Sequence, residues 1–181
     1  MNLDSYFKLI EEKIINILSR KDKEIITFDI LDTEKIKYNK KIALKEKQRQ
    51  MKIGEIWQEV LGNYPSYNNL KVGHKSGLDI VSYDKKIIIE LKNRTNTDNH
   101  SSKQTNFEKL YIFKIENPEY RCIYGNINDK DEKTTLKGKY KIIKYKTIEI
   151  EHIIGIEFIK LILEENTDKI IEFIKNIIDK Y

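Results

Sequence analysis

Leu3, Phe7, Ile10, Ile14, Ile17 and Leu18 recur at helical spacing, which collects apolar side chains on one face and predicts an amphipathic helix over residues 3–19. A short extended piece near residues 25–30 follows. Leu44, Met51, Ile53, Ile56, Trp57 and Val60 repeat the helical spacing, so a second helix is expected over residues 42–61, with Trp57 in the core and Gly62 and Asn63 ending it. A loop at 63–69 containing Pro65 comes next. The period then shortens, and residues 70–72, 78–83 and 86–91 read as strands, the last two joined as a hairpin around Asp84. Residues 93–106 are almost wholly polar. Ser101 or Ser102 is expected to cap a helix carrying Phe107, Leu110 and Tyr111, which Asn117 and Pro118 close. Residues 120–127 read as a further strand and 140–150 as a strand or hairpin. Helices over 153–163 and 167–178, separated by Glu164, Glu165 and Asn166, finish the chain. The order of helix, three strands, helix and strand implies an α/β fold with a central mixed β-sheet flanked by helices.

Composition narrows the class. The chain has 181 residues with 35% charged and 39% hydrophobic residues and only two prolines, a globular composition of a size suited to one domain. We expect a single domain over 1–181, made of an N-terminal helical extension (1–41), a core (42–162) and a C-terminal helix (163–181). No apolar stretch approaches the roughly 18 residues of a membrane span, and the N-terminus lacks a signal-peptide pattern. Cys122 is the single cysteine, so no intramolecular disulfide can form; a buried thiol in a reducing prokaryotic cytoplasm is the expectation. The formal net charge of +5 favours polyanions only mildly. Its distribution says more: Lys35, Lys37, Lys40, Lys41, Lys45, Lys47, Arg49 and Lys52 face only Glu46 within residues 35–52. Such a run is either a solvated helix face or a phosphate-binding surface.

The chemistry centres on residues 77–92. Asp79 lies on one strand, and Glu90 and Lys92 end the next; since strand side chains alternate, Glu90 and Lys92 share a face while Leu91 points away. Ile87, Ile88 and Ile89 are apolar on both faces, as in a covered central strand, so a carboxylate at Glu90 is costly to bury unless something compensates it. A hard divalent cation held with Asp79 would do so. The Glu-x-Lys spacing alone is weak, because acid-x-Lys recurs at Glu11 to Lys13, Asp84 to Lys86 and Asp131 to Lys133. The bland reading is an exposed salt bridge contributing roughly 0 to 1 kcal/mol. Zinc is not expected, because His74, His100 and His152 lie far apart without ligand spacing.

Gly77-Leu78-Asp79 followed by Ile89-Glu90-Leu91-Lys92-Asn93 resembles the PD-(D/E)XK nuclease signature, with Leu78 at the usual proline position. The wider segments 74–79, 90–98 and 117–125 resemble type II restriction endonucleases, particularly the group cutting GGNCC-type sites, and the resemblance covers about residues 42–162. It implies a restriction-endonuclease-like core and magnesium (Mg2+) held by Asp79, Glu90 and the carbonyl of Leu91. Lys92 would then orient or deprotonate the attacking water. Glu55 is implied as a helix carboxylate lent to the site, with Glu59 one turn later as its competitor. DNA contacts fall to His74 and Lys75 before Asp79, and to Asn93, Arg94, Asn96, Asn99, Lys103 and Gln104 in the polar segment, whose side chains suit base edges and phosphates. Turn chemistry and capping explain the same residues blandly. Partners implied are double-stranded DNA, a second copy of the chain in a homodimer, and a cognate DNA methyltransferase encoded nearby. A structure-specific or repair nuclease on the same core, and a noncatalytic DNA-binding module, are the rival readings. A methyltransferase gene next door would favour restriction over repair.

Overall fold

The computed structural model describes residues 2–21, 26–71, 73–94 and 100–181, with His100 described by its backbone alone. Helix α1 (Leu3–Ser19) starts where the Asn2 side chain accepts the Ser5 N–H at 2.8 Å, and it buries Tyr6, Ile10, Ile14 and Ile17. This is the stripe the spacing demands. Helix α2 (Glu34–Gly62) starts eight residues earlier than its apolar pattern does. Residues 34–41 carry no apolar stripe, but they are mostly good helix formers, Thr33 caps them, and Lys37 pairs with Glu34 at 2.8 Å. Only Ile56, Val60, Leu61 and Gly62 of α2 are buried.

The strands β1 (Asn68–Asn69), β2 (Ile80–Ser82), β3 (Ile87–Arg94), β4 (Arg121–Asn128), β5 (Lys139–Tyr145) and β6 (Ile148–Ile154) form one sheet in the order β1-β2-β3-β4-β6-β5. Strands β3, β4 and β6 run parallel, and the remaining pairs are antiparallel, so the sheet is mixed. Residues 140–150 resolve into the β5–β6 hairpin. Between the strands lie α3 (His100–Glu116) and α4 (Glu132–Lys137), and α5 (Ile156–Leu163) and α6 (Thr167–Ile178) close the chain around a 3-10 turn at Glu164–Asn166. Several boundaries move from their expected places. Strand β6 runs on through Ile154, so the next helix begins at Ile156 rather than 153; α3 begins at His100, which puts Ser101 and Ser102 inside its first turn; and α4, too short for a periodic signal, was not expected.

Both faces of the sheet are covered. Ile87, Ile89, Leu91, Ile123, Ile127 and Ile153 pack under α1, α2, α5 and α6, while Ile88, Cys122, Tyr124, Ile148 and Ile150 pack under Phe107 and Leu110 of α3. This explains the unbroken apolar run at Ile87 to Ile89. It also sets the direction of the charged residues after it: Glu90 and Lys92 alternate with Leu91 and therefore face α3.

Gly125 of β4 lies directly beneath Phe158 of α5, where an added Cβ would stand 2.2 Å from the ring. Gly125→Ala must displace a ring that is fully buried, so a loss of about 1 to 3 kcal/mol is expected in urea unfolding, as for other overpacked cores. An unchanged midpoint would show that Phe158 moves freely.

Candidate active site

The turn before β2 and the middle of β3, which runs past the expected end at 91 to Arg94, are tied together through Asp79. Its backbone N–H donates to the Ile89 carbonyl at 3.1 Å and its own carbonyl accepts from Leu70 at 2.8 Å, so the residue is held between two strands. Its Oδ2 accepts the Leu91 N–H at 2.7 Å. In a strand the N–H and C=O of one residue point the same way, so the Leu91 carbonyl faces the edge on which the Asp79 carboxylate lies. Glu90 is 2% exposed; its Oε1 accepts from Lys92 Nζ at 2.7 Å, and its Oε2 is buried without a partner among the described residues. A second ammonium, Lys109 Nζ of α3, stands 4.0 Å from Glu90 Oε1.

Burial raises the Glu90 carboxyl above its ordinary range, and the charge of Asp79 raises it further, against the pull of Lys92 and Lys109. Burial likewise raises Asp79, opposed by the Leu91 N–H and the same two lysines. Two carboxylates in each other's field, one with a buried oxygen that finds no partner among the described residues, present oxygen donors of the kind a hard divalent cation takes. Among the described residues, no cluster of three or more His, Cys, Asp and Glu side chains is placed to hold a metal ion, at this pair or elsewhere.

The structure does not bring Glu55 into this cluster. Its Oε1 pairs with Arg20 at 2.6 Å, and Glu59 pairs with Lys13 at 2.6 Å, so both turn toward α1. Helix geometry gives the reason. The side of α2 that meets β3 carries Gln50, whose carbonyl accepts from Asn93 at 3.3 Å, and Gly54, whose missing side chain points at Asn93. Residue 55 is rotated about 100° from residue 54.

The candidate DNA contacts fall into groups. His74 binds the Ser76 hydroxyl at 2.8 Å and, with exposed Lys75, lines a cavity of about 830 Å³ whose wall includes Gly77 and Lys109. Asn93 and Arg94 line a separate cleft of about 560 Å³ with Arg49, Gln50, Asn128 and residues of α4. Asn93 is committed to structure there, because Asn128 Nδ2 donates to both its Oδ1 (3.0 Å) and its carbonyl (3.1 Å). Arg94 lies 3.8 Å from Glu46. Lys103 stands over Phe107 and over Tyr124, the strand neighbour of Glu90, and Gln104 is exposed on α3. Asn96 and Asn99 lie outside the described residues.

The basic run is also more neutralised than its own window shows. Asp32 and Glu34, which precede it, pair with Lys40 and Lys37, Glu46 pairs with Arg49, and Lys52 donates to the carbonyls of Leu18 and Arg20. Lys35, Lys41, Lys45 and Lys47 are exposed.

A six-stranded mixed sheet flanked by helices is the architecture of a restriction-endonuclease-like α/β core. Residues 5–181 match the Eco47II restriction endonuclease family, so the chain belongs to that family of nucleases, hydrolases acting on DNA. No curated protein matches it in sequence. Among the described residues, no helix is long and apolar enough to cross a membrane.

The raised carboxyls fix the sign of a pH effect. The folded protein holds more protons than the unfolded chain between the ordinary values of 3.8 for Asp and 4.5 for Glu and the raised ones, so this pair removes stability as pH rises through that window. Asp79→Asn keeps the oxygen that accepts from Leu91 and deletes the repulsion. In chelator its melting temperature should exceed that of the unsubstituted protein increasingly as pH rises from about 4 through the raised carboxyl range and then level off, by about 2 to 4 °C for each kcal/mol relieved. Saturating divalent metal should reverse the order. A difference independent of both pH and metal would sink the repulsion argument.

Proposed function

We propose that the protein is a type II restriction endonuclease that hydrolyses double-stranded DNA at a specific sequence with Mg2+ held by Asp79, Glu90 and the Leu91 carbonyl. The observation carrying this reading is the orphaned Glu90 Oε2 buried beside Asp79. Family membership supplies the substrate and the hydrolytic chemistry. A bound divalent ion would supply positive charge to the phosphoryl oxygens and acidify water. Asp79 and Glu90 fix the site's position through β2 and β3, and the Leu91 N–H keeps the Asp79 carboxylate oriented. Lys92, held by Glu90 at 2.7 Å as an ammonium, would orient the attacking water, whose proton passes to solvent. The water oxygen bonds to phosphorus as the bond to the leaving ester oxygen breaks, and that oxygen leaves with the electron pair and takes up a proton.

GGNCC-type DNA is the proposed target, on the resemblance of segments 74–79, 90–98 and 117–125. Arg94 and the cleft it shares with Gln50 and Asn128 provide hydrogen-bonding groups suited to base edges. A homodimer follows from symmetry, since one site per chain must meet its copy to cut both strands of a palindrome alike. Ile36, Tyr38 and Ile42, exposed along α2, supply apolar surface of the kind a partner covers.

A mixed-sequence plasmid containing GGNCC sites should be cut into discrete bands with magnesium or manganese, and the specific complex should sediment with two protomers. Asp79→Ala and Glu90→Ala should each abolish cutting without unfolding the protein. Cleavage undiminished in excess chelator would refute the metal-dependent site, a smear would refute sequence specificity, and one protomer per site would refute the dimer.

Lys92→Ala should keep most DNA affinity and lose most turnover, since phosphate affinity is spread over many lysines. Neutralising Lys41, Lys45 and Lys47 together should weaken binding alike on all sequences and flatten its salt dependence by up to about 0.9 units per lost contact. Normal cutting by the first variant, or an unchanged salt slope in the second, would remove the role assigned to each.

A further inference from the structure

Lys109 stands at the carboxylate pair although the Asp79, Glu90 and Lys92 pattern has no place for it. Lys92 reaches Glu90 from within β3, whereas Lys109 reaches it from α3, with its Nζ 4.0 Å from Oε1 and its side chain about one-third exposed. The turn before Asp79 is shaped to let it through. Gly77 has φ +62°, and a Cβ there would lie 3.3 Å from Lys109 Cε and 3.5 Å from Cδ, so the stem lies against bare backbone. The Lys109 side chain also lines a cavity of about 830 Å³ with His74, Lys75 and Gly77, whose walls do not include Asp79, Glu90 or Lys92, and its partial exposure leaves it open to a ligand arriving from solvent.

Charge balance gives that ammonium a task. Hydroxide attacking a phosphodiester makes a dianion, which together with the two carboxylates, a divalent ion and Lys92 alone leaves one net negative charge. Adding Lys109 brings the sum to zero. In the absence of DNA the same lysine opposes cation binding, because the two carboxylates are already balanced by the two ammoniums.

We propose that Lys109 is a second catalytic lysine, which binds a non-bridging oxygen of the scissile phosphodiester and, until DNA arrives, holds the carboxylate pair in competition with the divalent cation. The proposal rests on the reading of Asp79 and Glu90 as the cation site. It goes beyond that reading in giving one side chain opposite effects on metal affinity and on turnover.

Manganese titration of the DNA-free protein, followed by the paramagnetic resonance of the free ion, tests the first effect. Single-turnover cleavage of the plasmid at saturating manganese tests the second. Lys109→Met should bind manganese severalfold to about tenfold more tightly, as expected when one like charge is removed from a partly exposed site, yet cut about a hundredfold more slowly. Lys109→Arg, which keeps the charge, should bind manganese within about twofold of the unsubstituted protein and recover part of the rate. Unchanged manganese affinity in Lys109→Met, or an undiminished rate at saturating metal, would reduce Lys109 to a surface counterion and overturn the proposal. If the unsubstituted protein binds no manganese that Glu90→Gln abolishes, the cation site itself fails and Lys109 loses its role with it.

Discussion

The burial of Glu90 is the constraint around which the site is organised. A carboxylate that is 2% exposed, next to a second acid, is a cost that local cations reduce but do not remove, since both carboxyls stay raised despite Lys92 and Lys109. A fold that merely needed a stable strand would place an aliphatic residue there, as it does at Ile88 two positions earlier. Repulsion kept in place by a rigid sheet would make the pair receptive to a divalent ion, because such an ion would relieve electrostatic strain already present in the folded protein. The hydrogen bond from Leu91 to Asp79 makes the repulsion hard to escape: the carboxylate cannot swing away without leaving a strand-end N–H unpaired.

That pair can be rigid because the sheet is covered on both sides. Alternation sends Ile87, Ile89 and Leu91 into the larger core and Ile88, Glu90 and Lys92 toward α3, so a one-residue slip of β3 would exchange the chemistry with the core. The parallel register of β3 with β4 then sets Tyr124 beside Glu90, and the helix joining those strands passes over the same face. Lys109 reaches the site by this route. The crossover connection that a parallel pairing needs, here a helix, therefore also delivers positive charge above a strand that carries negative charge.

Much of this was legible in the residue pattern, and the misses have identifiable causes. The helices at 3–19 and 167–178 and the strand ending in Glu90 and Lys92 are visible because burial imposes a period on them. Residues 34–41 form helix without a period, since capping, propensity and a local ion pair hold them, and apolar spacing is silent about such segments. Glu55 was misplaced because spacing identifies a helix face only relative to its neighbours; that Gln50 and Gly54 meet β3, and not residue 55, depends on how α2 docks. Lys109 was invisible for a similar reason. It lies 19 residues after Glu90 and meets it only through the packing of α3 on the sheet. The resemblance carried the acid pair and Lys92 because those residues lie close in sequence, whereas a helix lysine arriving from above belongs to no short motif.

The placement of charge separates two tasks. The exposed lysines of α2 sit on the part of the helix with least burial, where a phosphate contact depends on number and proximity more than on exact geometry and is weakened by salt. Several cations of that run are already occupied by Asp32, Glu34 and Glu46, so the charge left to attract DNA is smaller than the residue count suggests. At the strand ends the order is reversed. Few charges are present, each is fixed by a hydrogen bond or by packing, and partial burial protects their interactions from screening. If the α2 lysines contact phosphate, affinity can vary with their number while the geometry of Asp79, Glu90 and their lysines stays unchanged, because the buried residues of that helix, Ile56, Val60, Leu61 and Gly62, all lie beyond the basic run.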